Sequence, residues 1–271
     1  MGRRVEERIW GTGQPHPLRR RMSMVVVRYG LLAVGVWAVI SLMGVAFGAL
    51  FSWSLLAIFI PLGLVIGLGT ALLILVRSSL SIGADLPYLE PSAVDGSRIS
   101  ALIEGVGQQL GISDARVRIL NDSSINATVV PRGRQHYELV VTKGSLDNLD
   151  WIELEAMVAR ELVAARSGIV WYNAALAGLQ MAFHQGRLGM ADWQRQEAAM
   201  LDLAGAGATR YPPAMSHLLL AALEFQDDGK PLPFAPWLWL YPRGMPNADA
   251  DMELRAGYIA DEVWTAHSSG E

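Results

Sequence analysis

The chain has 271 residues, 52% of them hydrophobic and 18% charged, with a mean hydropathy of +0.27 and a net charge of −4. That is too apolar for an ordinary soluble domain, and the absence of cysteine excludes a disulfide framework, a thiolate metal site and a cysteine nucleophile. The charge is unevenly divided: up to Arg28 there are seven Arg against two Glu, whereas from Ser78 onward 14 basic residues face 24 acidic ones. So acidic a region is poorly suited to phosphate backbones, and no nucleic-acid partner is expected.

Residues 1–28 form a basic arm in which Arg19, Arg20 and Arg21 are adjacent. No charge occurs between Arg28 and Arg77, a window long enough for two membrane spans of about 20 residues each. The first span is expected over 29–50 and the second over 54–76, the latter broken by Pro61, with Phe51, Ser52 and Trp53 as the turn. Gly35, Gly44, Gly48, Gly63, Gly67 and Gly69 would let the two helices approach closely. The apolar stretch is longer than a signal peptide's core and is doubled, so an uncleaved anchor in the lipid bilayer is expected. Arg-rich flanks stay inside, which places the arm, Arg77, both termini and the main domain in the cytoplasm.

A connector spans residues 78–95. From residue 96 onward the pattern is that of an α+β domain, mostly helical with a small sheet. Ile99, Leu102, Ile103, Val106 and Leu110 recur at helical spacing over 96–110, with Gly111 as a stop. Short strands are expected over 117–120, 127–130 and 137–142, separated by turn-rich segments. A helix over 149–166 comes next, then an apolar one over 168–185 that is short for a span and suited to packing on the domain or the bilayer surface. Further helices fit 192–205, 213–225 and 249–264.

The run "LVVTKGSLDNL…ELEAMVARELVAA" resembles the strand, turn and motif helix of the HtpX-like membrane zinc metallopeptidases, the group that includes the CAAX prenyl proteases. In that family an H-E-x-x-H helix holds zinc through two histidines at i and i+4, with the intervening glutamate as general base. Here Arg160 and Ala164 stand at the two histidine positions and only the base, Glu161, survives. "INATVVPRG" is similar to the family's N-A-F segment, whose edge strand lies along the substrate; Asn126 and Ala127 match it and Thr128 replaces the Phe. "QEAAMLDLAGAGATRYPPAM" resembles the family's second motif helix, with Met200 at the third ligand's place and Asp202 retained. "APWLWLYP" and "DADMELRAGYI" resemble the closing L-W segment and the H-P-x-x-x-x-R helix, with Asp249 in the His position and Arg255 kept. The resemblance covers roughly 97–258 and implies a zincin-like cytoplasmic domain in a bacterial inner membrane protein.

Arginine offers a metal no lone pair, alanine offers nothing, and a thioether prefers soft ions, so all three ligand positions fail together. Zinc is expected to be lost, no other cofactor is implied, and Glu161 becomes a vestigial base. His136, His184, His217 and His267 form no H-x-x-x-H pair, and His217, among leucines, is expected in a core or interface. Glu161, Glu197 and Asp202 could together surround an ion, but isolated carboxylates on helices ordinarily face water, and that is the expectation for them. Arg160 is expected to fill the former metal cavity, paired with Asp202 first and Glu161 second, the alternative being a side chain that reaches solvent. The function expected is an inactive homologue acting as a protein-binding, scaffold or accessory subunit beside a membrane-protein partner. Its contact would be either strand addition at Asn126, Ala127 and Thr128 or the hairpin with the Trp-containing stretch 233–241. The other reading is an active membrane-bound metalloendopeptidase of membrane-protein quality control with a non-standard metal site.

Overall fold

The computed structural model describes residues 17–50, 53, 56–81, 88–89, 93–133, 136–182, 192–226, 232, 236–245 and 247–268. Two long apolar helices come first, α1 (Pro17–Leu50) and α2 (Leu56–Ser81). Within them Val25–Ala49 and Ala57–Arg77 are long and apolar enough to cross a membrane. Leu31, Val34, Leu42, Val65, Leu72 and other large apolar side chains project outward from them. An outward apolar surface over two whole helices suits lipid rather than water.

The two helices pack antiparallel, and glycines set their separation. A Cβ on Gly67 would lie 2.5 Å from the Ala33 carbonyl oxygen, and one on Gly44 would lie 2.4 Å from Phe59 Cβ. Gly35 and Gly69 meet nothing and are not part of this contact. Trp37 Nε1 donates to the Ile60 carbonyl at 3.2 Å, and Phe47 stacks on Phe59.

The last part of the basic arm is already helical, since α1 begins at Pro17, a residue whose fixed φ and missing N–H suit a first helical position. One expectation is corrected: Pro61 does not break the second span, because it sits in the second turn of α2, where only the bond to residue 57 is lost, and the helix continues. The expected turn residues Phe51 and Ser52 lie outside the described residues.

The remainder is mostly helical around a four-stranded mixed sheet. The elements are β1 (Tyr88–Leu89), α3 (Ala93–Leu110), β2 (Ala115–Leu120), β3 (Ala127–Gly133), β4 (His136–Thr142) and α4 (Lys143–Asn148). There follow α5 (Trp151–Arg166), α6 (Ile169–Ala182), α7 (Asp192–Ala208), α8 (Ala214–Glu224), a 3-10 turn at Pro236–Leu238 and α9 (Ala248–Ser268). Strand order is β1-β2-β4-β3, with β2 and β4 parallel and the other pairs antiparallel. β1 and α4, of two and six residues, are too short to show a period in the sequence. The end expected for α7 at Gly205 falls short, and the helix runs on to Ala208.

The sheet separates two apolar layers. One face presents Ile119, Ala127, Leu139 and Val141 to α3 and α5, where Ile99, Leu102, Leu154, Met157 and Leu162 complete the main core. The other presents Leu120, Val130 and Val140 to Ala174 and Ala177 of α6 and to Trp239. α6 also packs on the hairpin, where Ala175 joins Tyr29, Ala33 and Ala71 in one cluster and Tyr29 Oη donates to the Ala175 carbonyl at 3.0 Å. The short apolar helix therefore ties the sheet to the two long helices.

Candidate functional site

The motif helix α5 starts with a capping box: Asp150 accepts from the Glu153 amide and Glu153 reaches back to the Asp150 amide. The cap fixes the start two residues later than expected, and the helix then buries Leu154, Ala156 to Leu162, Ala164 and Ala165. Against it lies α7, brought close by Gly205: a Cβ there would meet Arg160 Cα and Met215 Cε at 2.8 Å. Backbone cannot yield cheaply at such a distance. Gly205→Ala is therefore expected to destabilise the protein by about 1–3 kcal/mol through overpacking, measured as a lowered midpoint of denaturant unfolding in detergent.

This approach buries a chain of charged side chains. Arg160 is 4% exposed, Glu161 2% and Asp202 0%. Arg160 Nε donates to Asp202 Oδ1 at 2.7 Å, and its Nη1 donates to Glu161 Oε1. Arg255 from α9 completes Asp202 with a bidentate fork, Nε to Oδ2 at 2.6 Å and Nη2 to Oδ1 at 2.9 Å, while its Nη1 donates to the Leu240 carbonyl at 3.0 Å. Two guanidiniums and two carboxylates thus join α5, α7, α9 and the segment before α9. The expected pairing of Arg160 with Asp202 and then Glu161 is present, and solvent is not where Arg160 goes.

The two carboxyls respond oppositely to burial. Desolvation would raise Asp202, but the guanidiniums of Arg255 and Arg160 outweigh it and hold the carboxyl below its usual range. Glu161 is pushed up, since burial, with Asp202 nearby adding to it, outweighs the lowering by Arg160 and Arg255. Arg160 is raised further: its desolvation is overcome by Glu161 and Asp202.

Beside this chain is a cavity of about 40 Å³. Arg160, Glu161 and Ala164 line it from α5, Thr128 and Val129 from β3, Val170 and Asn173 from α6, Glu197, Ala198 and Leu201 from α7, and Trp237 and Leu238 from the 3-10 turn. Met200, expected at the third ligand position, is not among them. At 100° per residue, a side chain two places beyond Ala198 and two before Asp202 points away from both. Glu197, 4% exposed, is the acidic side chain that α7 turns to the cavity instead. Glu161, Glu197 and Asp202 are all buried, against the expectation that such carboxylates face water.

His217 is exposed, because α8 turns Ala214, Met215, Leu218, Leu219 and Ala222 inward and leaves it on the opposite side. His136 is exposed as well, beside Asp114. His184 and the His267 side chain lie outside the described residues.

Asn126 and Ala127 hold the chain rather than line the cavity. Asn126 Nδ2 donates to the Tyr241 carbonyl at 2.8 Å and its Oδ1 accepts from the Tyr241 amide at 3.0 Å. The Leu240 amide donates to the Ala127 carbonyl at 2.9 Å, and Thr128 Oγ1 donates to the Leu238 carbonyl at 2.9 Å. The stretch 236–241 therefore runs along the outer edge of β3, with Trp239, Leu240 and Tyr241 buried. Of the stretch 233–241 expected as a contact, Trp239, Leu240 and Tyr241 are buried and Trp237 and Leu238 half-buried; residues 233–235 lie outside the described residues. Asp249 accepts from Tyr241 Oη, which secures the start of α9 to the same stretch.

At the two former histidine positions Arg160 and Ala164 offer a zinc ion no ligand atom. Arg160 brings a fixed positive charge to the cavity wall and has no lone pair to coordinate with. Among the described residues, no three His, Cys, Asp or Glu side chains are grouped so as to hold a metal.

No family model matches the chain, and no solved structure does. Among known proteins it is similar to a "Protease HtpX homolog" of Dictyoglomus thermophilum, 33% identical over 73 residues, which is 27% of this chain and 24% of that protein. The homologue of Dictyoglomus turgidum is 34% identical over the same shares, and that of Bacteroides fragilis 30% identical over 27% and 23%. The chain thus matches about a quarter of the length of these relatives. Two apolar helices of membrane-spanning length and this partial likeness fit a membrane protein related to the HtpX-like proteases.

Proposed function

We propose that this protein is a membrane-anchored relative of the HtpX-like metallopeptidases in which a buried ion-pair chain has taken over from the metal. It acts on a partner protein by binding and not by cutting. The observation that carries this reading is Arg160, buried against Glu161 and Asp202 at a position where the family places a zinc ligand. A general base needs a polarised water to act on, and a guanidinium beside Glu161 supplies a hydrogen-bond partner rather than a Lewis acid. The chain Glu161–Arg160–Asp202–Arg255 links the same helices that a bound ion would have linked, so the site keeps a structural role. The partner is a membrane protein or complex, since α6 joins the sheet to the apolar hairpin and brings the cavity next to it.

A peptidase assay on the full chain in mild detergent, with unfolded casein as substrate, tests the reading. No cleavage above that of a Glu161→Gln control is expected, with or without added zinc. Cleavage abolished by both chelator and Glu161→Gln would establish the other reading, an active endopeptidase with a non-standard metal site.

For the topology, the proposal puts both chain ends and the main domain in the cytoplasm, following the basic residues before α1 and the uncharged turn between the spans. The chain has no cysteine, so introduced thiols report alone. In intact cells Ser52→Cys is expected to react with an impermeant maleimide and Ser268→Cys only after lysis. Reaction of Ser268→Cys from outside would reverse the orientation.

A further inference from the structure

Away from the ion-pair chain, a second cluster of arginines lies on the sheet, and strand alternation sets its side. Leu120, Val130 and Val140 point to the face that Ala174 and Ala177 of α6 cover. Residues two or four places along the same strands share that face. They are Arg118 and Arg116 on β2, Arg132 on β3 and Glu138 on β4. The contacts agree with the alternation. Glu138 accepts from the Nε atoms of both Arg118 and Arg132, and the Arg118 guanidinium lies 4.7 Å from the centre of the Tyr88 ring on β1. One buried carboxylate thus answers two guanidiniums, and Arg116 adds a third, exposed one. Asp114, at the same end of the sheet, is engaged with His136. The patch is therefore positive, within a region where 24 acidic residues outnumber 14 basic ones.

This face also looks towards the two apolar helices. Ala174 packs on the sheet, while its neighbour Ala175 packs on Tyr29, Ala33 and Ala71 of the hairpin. α2 and β3 approach each other directly as well, with Cα atoms within 8 Å. Tyr29 is the first residue of the uncharged window after Arg28, and Ala71 lies one to two turns before Arg77, which closes it. That is the level at which the hydrocarbon of a bilayer gives way to its headgroups. Only the thickness of α6 separates it from Val130, and Arg132 stands two residues further along that strand.

We propose that this sheet face rests on the membrane surface, where Arg116, Arg118 and Arg132 receive the phosphates of anionic phospholipid headgroups. The inference goes beyond the function proposed above and rests only on the hairpin lying in a bilayer. A guanidinium offers phosphate oxygens a planar fork of donors, and its apolar stem lies along apolar surface while the charge reaches outward. Glu138 and the Tyr88 ring orient two of the three forks, and the Arg118 side chain is still 48% exposed. These contacts would hold the domain against the bilayer together with Arg28 and Arg77, both exposed at the ends of the hairpin.

The full chain in a neutral maltoside detergent would be titrated with dioctanoyl phosphatidylglycerol, with thermal unfolding followed by tryptophan fluorescence. The midpoint is expected to rise to saturation, and dioctanoyl phosphatidylcholine is expected to leave it unchanged. Arg116→Gln and Arg118→Gln should each raise the half-saturating concentration roughly fivefold, the effect of one basic side chain near an anionic surface. Arg210→Gln, which removes an equal charge at the turn between α7 and α8, should leave it unchanged. Arg116 is exposed, so its replacement reports even where loss of Arg118 unsettles Glu138. An equal rise with phosphatidylcholine or with inorganic phosphate would overturn the proposal. So would an equal effect of Arg210→Gln, or an unchanged half-saturation in both sheet variants. Release of the chain from membranes by alkaline carbonate would instead overturn the hairpin placement itself. None of these readouts depends on zinc or cleavage, so their failure is distinct from finding an active peptidase.

Discussion

Arg160→Ala is expected to lower the unfolding free energy by about 3–5 kcal/mol, the usual cost of removing one member of a buried ion pair. The effect is large because of what stays behind. Glu161 and Asp202 are as buried as the arginine, and without it Glu161 loses the guanidinium it is bonded to. An exposed pair of the same residues would be worth only about 0–1 kcal/mol. Arg160→Lys should recover part of the loss, since a single ammonium can face one carboxylate but cannot span both with a planar fork. Arg160→His alone should not restore zinc binding, because Ala164 still supplies no ligand. Denaturant unfolding of the full chain in detergent, followed by far-UV circular dichroism, measures these differences. A change within about 0.5 kcal/mol for Arg160→Ala would mean the guanidinium contributes no more than a surface charge.

Asp202→Asn should cost as much or more, about 5 kcal/mol, because one carboxylate serves two guanidiniums. The amide would leave Arg255 with only the Leu240 carbonyl and Met252 sulfur among its described partners. The pH dependence separates this residue from Glu161. Asp202 has a folded pKa below its unfolded value of about 3.9, so its contribution is full above that pH and is lost as pH falls through the folded value. Glu161 has a folded pKa above its unfolded value of about 4.3; its contribution is full below that pH and declines as pH rises through the folded value. Asp202→Asn should therefore flatten the acid limb of the stability profile, and Glu161→Gln the descent above about pH 4.3. Stability measured across pH for the two variants and the unmodified chain checks the signs, and an acid limb unchanged in Asp202→Asn would refute the assignment.

Much of this arrangement was legible in the sequence wherever a long period or a charge constraint decided the outcome. The two apolar helices followed from an uncharged window, α3 from apolar residues at helical spacing, and α5 from the family resemblance. The Arg160–Asp202 pair followed from the family resemblance, which sets the two helices side by side, together with the need of a buried guanidinium for anions. β1 and α4 were not legible, because two and six residues carry too little period, and their places depend on β2 and on a turn closed by Thr142 and Ser145. Met200, which the resemblance puts at the third ligand position, does not line the cavity, since motif resemblance fixes a segment but not its rotation. The spacing of Ala198, Leu201, Asp202 and Gly205 does fix it, and Glu197 comes with that face. The strap over β3 was not legible either. Nothing in "APWLWLYP" says that its carbonyls and amides answer Asn126, Ala127 and Thr128, over a hundred positions earlier.

Zinc content is the most direct test of an ion pair standing in for a metal. The full chain, purified in mild detergent without chelator and equilibrated with excess zinc before desalting, would be assayed by elemental analysis alongside Glu161→Gln and Arg160→Ala. The account predicts far less than one zinc per chain in the unmodified protein, no change in Glu161→Gln, and no gain to stoichiometry in Arg160→Ala. One zinc per chain in the unmodified protein would contradict it.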